Sequence, residues 1–242
     1  MAESPGKKNS KGKDVSNGRR GGTLIEGIRL YRLKRWDLAL KELLAVNTER
    51  FDSNDNLELA YYLGLCYTKL ERYDDALLYL EQVVTGGQDP LRTYQCRMTL
   101  AYIYVITKRS KMAEFELKRL ANSGFESAQL YTTLAYAAWL QKRYKQSVEY
   151  YEKALDLDAN NTTALNGLGY VLVDTDMDLV RGLRCCKKAV DLKPHSPAYQ
   201  DSLGWAYYKN GEFLEARTWL RRAMEAAPHQ QEIKDHFKTV TG

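Results

Sequence analysis

Three histidines and four cysteines are the residues of this chain best suited to catalysis or metal binding. His195 and His229 each follow a proline that closes a helical stretch, and His236 lies near the C-terminus. None has a nucleophile and an orienting carboxylate beside it, so all three are expected as solvent-facing turn residues. Cys66, Cys96, Cys185 and Cys186 fall in helical, apolar stretches, without the spacing of a disulfide framework or of paired zinc ligands. They are expected to be small, buried, reduced thiols; nothing around Cys185–Cys186 supports a redox pair.

The acidic run DTDMD, 174–178, resembles the opening of a calcium loop. Such a loop needs glycine at its sixth position and glutamate at its twelfth; here those positions hold Leu179 and Cys185. A solvated connection between helices is expected instead. Gly21–Gly22 and Gly86–Gly87 belong to no phosphate-binding loop. The NNTT run, 160–163, would accept a glycan only in a secreted protein. Charged residues such as Glu152 and Lys153 belong to a solvated outer face. No cofactor and no metal are expected, and the chain is expected not to be an enzyme.

The elements that carry these residues are helices. The 242 residues are 44% hydrophobic and 28% charged, with only five prolines, a globular balance. Tyrosine is abundant, at 18 residues against five phenylalanines, which suits surfaces that are partly buried and partly wet. The net charge of +5 sits mostly in residues 1–22, where Lys7, Lys8, Lys11, Lys13, Arg19 and Arg20 face only Glu3 and Asp14. Gly, Ser, Asn and Lys dominate that segment, and it is expected to be a disordered basic tail. No apolar run is long enough to span a membrane, and no signal peptide is visible; a cytoplasmic protein is expected.

From residue 23 onward, apolar residues recur at spacings of three and four, as in RWDLALKELLAV (35–46), RYDDALLYLEQVV (72–84) and RYKQSVEYYEKAL (143–155). Helical segments come in pairs, and no strand pattern occurs. The pairs are copies of one another. EGIRLYRLKRWDLA begins at Glu26, LGLCYTKLERYDDA at Leu63, LAYIYVITKRSKMA at Leu100, LAYAAWLQKRYKQS at Leu134, LGYVLVDTDMDLVRG at Leu168 and LGWAYYKNGEFLEA at Leu203. The successive spacings are 37, 37, 34, 34 and 35 residues.

This register resembles the tetratricopeptide repeat (TPR) family, with its 34-residue period and W-x2-L-G-x2-Y…A-x3-F…P pattern. The last unit fits best, through Leu203, Gly204, Tyr207, Ala216, Leu220, Ala223 and Pro228. The second supplies Leu63, Gly64, Tyr67 and Ala76; the fourth substitutes Ala135 and Ser147 at the small positions; the fifth carries Gly182 with one extra residue in its turn. The resemblance implies an all-α, right-handed superhelical solenoid of six helix-turn-helix units. Their expected bounds are 23–53, 57–90, 91–124, 127–160, 161–195 and 196–228, with a capping helix at 229–240. Glycine inside a helix costs about 1 kcal/mol relative to alanine. Close helix approach explains it, with expected pairs Gly204–Ala216, Gly64–Ala76 and Gly169–Gly182. Pro90, Pro194 and Pro228 are expected just past helix ends.

Residues one and four beyond the repeat glycine project to the opposite side of the first helix. They are Ile28 and Tyr31, Leu65 and Thr68, Tyr102 and Val105, Tyr136 and Trp139, Tyr170 and Val173, and Trp205 and Tyr208, all but Thr68 aromatic or aliphatic. In the family this side lines a concave groove. The expected partner-binding residues are Tyr31, Tyr61, Tyr102, Tyr136, Trp139, Tyr170, Trp205 and Tyr208, since tyrosine and tryptophan are the usual interface anchors. Arg32, Lys69, Lys209 and Asn166 are too scattered to clamp an acidic C-terminus. The expected function is a protein-interaction scaffold for a peptide or helix of another protein. Two rivals remain: self-association through Leu24, Ile25, Ile28 and Leu30 of the uncapped first unit, and nucleic-acid contact through the tail.

Overall fold

The computed structural model describes residues 23–87 and 89–242; the basic tail, 1–22, lies outside the described residues. Thirteen α-helices and no β-strand are found among the described residues. They pair as α1 (Leu24–Arg32) with α2 (Trp36–Leu44), α3 (Ser53–Lys69) with α4 (Tyr73–Gly86), and α5 (Pro90–Ile106) with α6 (Ser110–Asn122). Then follow α7 (Ala128–Leu140) with α8 (Tyr144–Leu157), α9 (Thr162–Asp174) with α10 (Leu179–Leu192), and α11 (Pro197–Lys209) with α12 (Phe213–Ala226). The thirteenth, α13 (Gln231–Thr241), packs on α12 and α11.

The two helices of each pair start differently. Thr23, Asp52, Asp89, Ser127 and Asn161 accept backbone N–H groups at the starts of α1, α3, α5, α7 and α9. Pro90 and Pro197 are the first residues of α5 and α11, where a missing N–H costs nothing. Pro90 thus opens a helix instead of trailing one. The second helices begin after a tight turn whose pivot has left-handed backbone: Lys34, Glu71, Lys108, Lys142, Asp176 and Gly211, with φ of 58°, 59°, 61°, 59°, 54° and 83°. The next residue closes the turn by donating five residues back, as Arg35 N–H does to Leu30 O and Glu212 N–H to Tyr207 O. In the fifth turn both Met177 and Asp178 donate to Leu172 O, which absorbs the extra residue, and Asp178 then caps α10.

The small residues of the first helices admit large ones from the second. A Cβ on Gly204 would lie 2.6 Å from Leu220 Cγ and 3.0 Å from Leu220 N. Gly64 receives Leu80 and Gly27 receives Leu43 in the same way. The expected partners of Gly204 and Gly64, Ala216 and Ala76, are buried but do not come nearest; the leucine one turn further on does. Where the fifth pair has Gly182, that glycine does touch its counterpart, with Gly169 O 2.9 Å from its added Cβ. In the fourth pair the Ser147 hydroxyl donates to Ala135 O at 2.8 Å. Each fully buried leucine, such as Leu80 or Leu220, contributes about 1.5–3 kcal/mol of transfer free energy.

Polar ties join successive pairs. Glu114 of α6 accepts from Arg143 and from Gln141, and ion-pairs with Lys118. Burial pushes its carboxyl up, but these hydrogen bonds outweigh burial and hold its pKa at about 2.

Candidate functional site

Successive first helices touch one another along the array, whereas successive second helices do not. The array therefore curves toward the first helices, and their outward-facing side chains form its inner surface. The sequence stripe falls on this surface in part. Val105 and Val173 are buried core residues and leave the stripe; neighbouring helices close over them.

The remaining side chains form two hollows. Near the N-terminus, Tyr31, Leu65, Thr68, Lys69 and Tyr102 line a hollow of about 460 Å³, and Tyr102 is 51% exposed. Tyr31 and Tyr61 both pack edge-on against Tyr62, and the Tyr61 hydroxyl donates to Gln95. Tyr61 is thus partly consumed by contacts between α3 and α5.

The second hollow, of about 300 Å³, is enclosed by α7, α9, α11 and α13. Tyr136 and Trp139 stack with ring centres 5.5 Å apart, and Trp139 meets Tyr170 edge-on at 6.0 Å. Asn166 lines the same space, and its Oδ1 is buried without a hydrogen-bond partner among the described residues. Tyr136 is 42% exposed, so the space opens to solvent.

Trp205 and Tyr208 stack on each other at 5.2 Å, and α13 lays His236 over Trp205. The His236 ring lies nearly parallel to Trp205, 4.3 Å away, and its Nδ1 is 2.9 Å from Asp201 Oδ2. His236 is therefore buried against the Asp201 carboxylate, with which it forms an ion pair when protonated, contrary to the expectation of a solvent-facing turn residue. The apolar stripe of α13, Ile233, His236 and Val240, turns inward and carries it there. Burial lowers the His236 pKa, but the hydrogen bond and charge of Asp201, with Glu232 and Asp174 nearby, raise it above the usual histidine value. Asp174 also accepts the Trp205 indole N–H at 3.3 Å.

Asp201, Glu232 and His236 are the site residues that pattern reading missed. Their signal was present: a histidine between Ile233 and Val240 at helical spacing occupies an apolar face and needs a buried partner. The arrangement is not a catalytic dyad with a nucleophile. Ser202, beside Asp201, donates its hydroxyl to Ala198 O of its own helix at 3.0 Å. Lys209 pairs with Asp176 at 2.8 Å and Lys69 lies 6.0 Å over the Trp36 ring, so these cations do not converge. The four cysteines are free; Cys66, Cys96 and Cys186 are buried, and burial pushes the Cys66 and Cys96 thiols up to about 12. No group of metal-ligating side chains occurs among the described residues, and no described helix is long and apolar enough to cross a membrane.

Three tetratricopeptide-repeat family models match residues 26–91, 128–161 and 198–227. Over 80 residues the chain is 35% identical to a TPR repeat-containing protein of Pseudomonas aeruginosa; the match takes in 33% of this chain and 13% of that longer protein. Among solved structures, the Cut9–Hcn1 hetero-tetramer of the APC/C superposes with a TM-score of 0.72 at 13% identity, covering 90% of this chain and 42% of that one. MamA of Desulfovibrio magneticus gives 0.61 at 21% identity, covering 70% and 92%. YrrB, described as a TPR protein with an unusual peptide-binding site, gives 0.55 at 17%, covering 84% and 97%. At these identities the structural likeness is one of fold.

Proposed function

The chain belongs to the tetratricopeptide repeat family, and from that premise we propose that it is a non-enzymatic scaffold holding a peptide or helical segment of a partner protein against its inner face. The observation that supports this reading best is the open aromatic hollow of Tyr136, Trp139 and Tyr170. Aromatic side chains that remain half exposed in a concave site are the usual anchors of protein recognition. YrrB, of the same fold, is described as having a peptide-binding site, in keeping with that use. Tyr31 and Tyr102 extend the surface toward the N-terminus, while Trp205 and Tyr208 stabilise α13 behind it.

A direct test is a pull-down with wild type and with Trp139→Ser. A partner captured by wild type and lost with the variant, while the variant stays folded, supports the reading. A partner retained by Trp139→Ser and by Tyr136→Ser rejects this hollow as the site. Binding is expected to weaken only modestly with salt, because apolar burial dominates.

One observation favours a second reading, self-association. Ile25 is 82% exposed among the described residues and, with Ile28, Arg29 and Arg32, borders a hollow on α1. Light scattering across concentration decides it: a strict monomer removes this reading.

A further inference from the structure

The hollow between α7 and α13 has a chemical bias that its aromatic walls alone do not explain. Among the described residues, its charged lining side chains are Asp201 and Glu232, both acidic. Asp201 is engaged by His236. Glu232 is exposed and has no ion-pair partner among the described residues. It lines the same hollow as Tyr136 and Tyr170, and its charge adds to burial, and at Tyr170 to Asp174, in raising both phenols. Asn166 Oδ1, an acceptor, is left without a donor in the same space.

We propose that this hollow receives an arginine side chain of the bound partner, its guanidinium stacked on one of the Trp139 and Tyr170 rings, edge-on to the other, and donating to the Glu232 carboxylate and Asn166 Oδ1. The inference rests on the inner-face reading above and specifies the ligand of that face. Each element of the hollow asks for the same group. Two aromatic faces at a steep angle attract a cation. The Glu232 carboxylate takes one hydrogen bond from the Tyr170 phenol and keeps lone pairs to spare, Asn166 Oδ1 has no donor among the described residues, and a planar guanidinium supplies several N–H groups in a fixed fork. It also sheds water more readily than an ammonium group. The Asp201 and Glu232 carboxylates disfavour an acidic ligand, His236 offsetting only the charge of Asp201. Because Glu232 comes from α13, the hollow is complete only while His236 holds that helix against Asp201.

The test is a selection of random displayed peptides against the full chain, followed by titration of synthetic selected peptides monitored by tryptophan fluorescence. Selected peptides are expected to share one arginine. Replacing it with citrulline, neutral and nearly the same shape, should weaken binding about tenfold. Glu232→Gln should weaken the arginine peptide similarly and leave the citrulline peptide unchanged; Asn166→Leu should act in the same direction. Matching thermal melts for these variants exclude loss of fold. Peptides that bind, fail with Trp139→Ser, yet lack arginine or ignore Glu232→Gln overturn the guanidinium assignment and leave the inner-face reading intact. Enriched lysine in place of arginine overturns it too. If no peptide binds, the inner-face reading falls and takes the inference with it.

Discussion

His236 of the last helix lies 2.9 Å from Asp201 of α11, thirty-five residues away in sequence, with its ring stacked on Trp205. This contact, set in a neighbourhood of Glu232, Asp174 and Tyr170, turns α13 from a simple cover into a wall of the aromatic hollow.

The pair makes stability pH-dependent. The His236 pKa is raised in the folded chain above its value of 6.5 when free. The charged pair therefore contributes fully below about pH 6.5 and is lost as pH rises through the folded pKa. Melting temperature should fall between pH 6 and pH 9 for wild type. His236→Phe should flatten that slope, and an equal slope in both would reject the pair as its source.

Trp139 and Trp205 should separate. Trp205→Ser removes the surface on which His236 stacks and should cost about 2–3 kcal/mol, below the loss typical of a fully buried tryptophan. Trp139 is half-buried against Tyr136 and Tyr170 on the wall of the hollow, and Trp139→Ser, which uncovers no ion-paired group, should cost less, about 1–2 kcal/mol. Urea denaturation of the two variants side by side is the measurement.

Gly204 should resist any side chain. Alanine there brings Cβ to 2.6 Å from Leu220 Cγ, and the strain of about 1–3 kcal/mol exceeds the roughly 1 kcal/mol gained in helix propensity. Gly204→Ala should lower the melting temperature, and Gly204→Leu should unfold the last pair. Equal melting temperatures for the two would contradict the packing.

The left-handed turn residues offer the opposite sign. Lys108 holds φ of 61° without being glycine, a conformation that costs about 1–2 kcal/mol for a residue with a Cβ. Lys108→Gly should stabilise by about 1 kcal/mol in chemical denaturation, and Gly211→Ala, at φ of 83°, should destabilise by a similar amount.

The helices, their pairing and their repeat register are legible in the sequence because they depend on local forces. Apolar spacing of three and four selects a helix, and a small residue recurring every 34–37 positions marks where two helices meet. What enters each gap was decided by packing. Helix rotation brings Leu220 and Leu80, not Ala216 and Ala76, against the glycines. The aromatic stripe was legible as a set of residues, but its division was not. Val105 and Val173 sink into the core, and Trp205 is covered, because burial depends on how far each helix tilts toward the next. Least legible was the end of the array. A repeat foretells contacts between like neighbours, and α13 has no like neighbour. Its docking through His236 and Asp201 depends on the shape and charge of a surface that exists only once α9 and α11 have packed together.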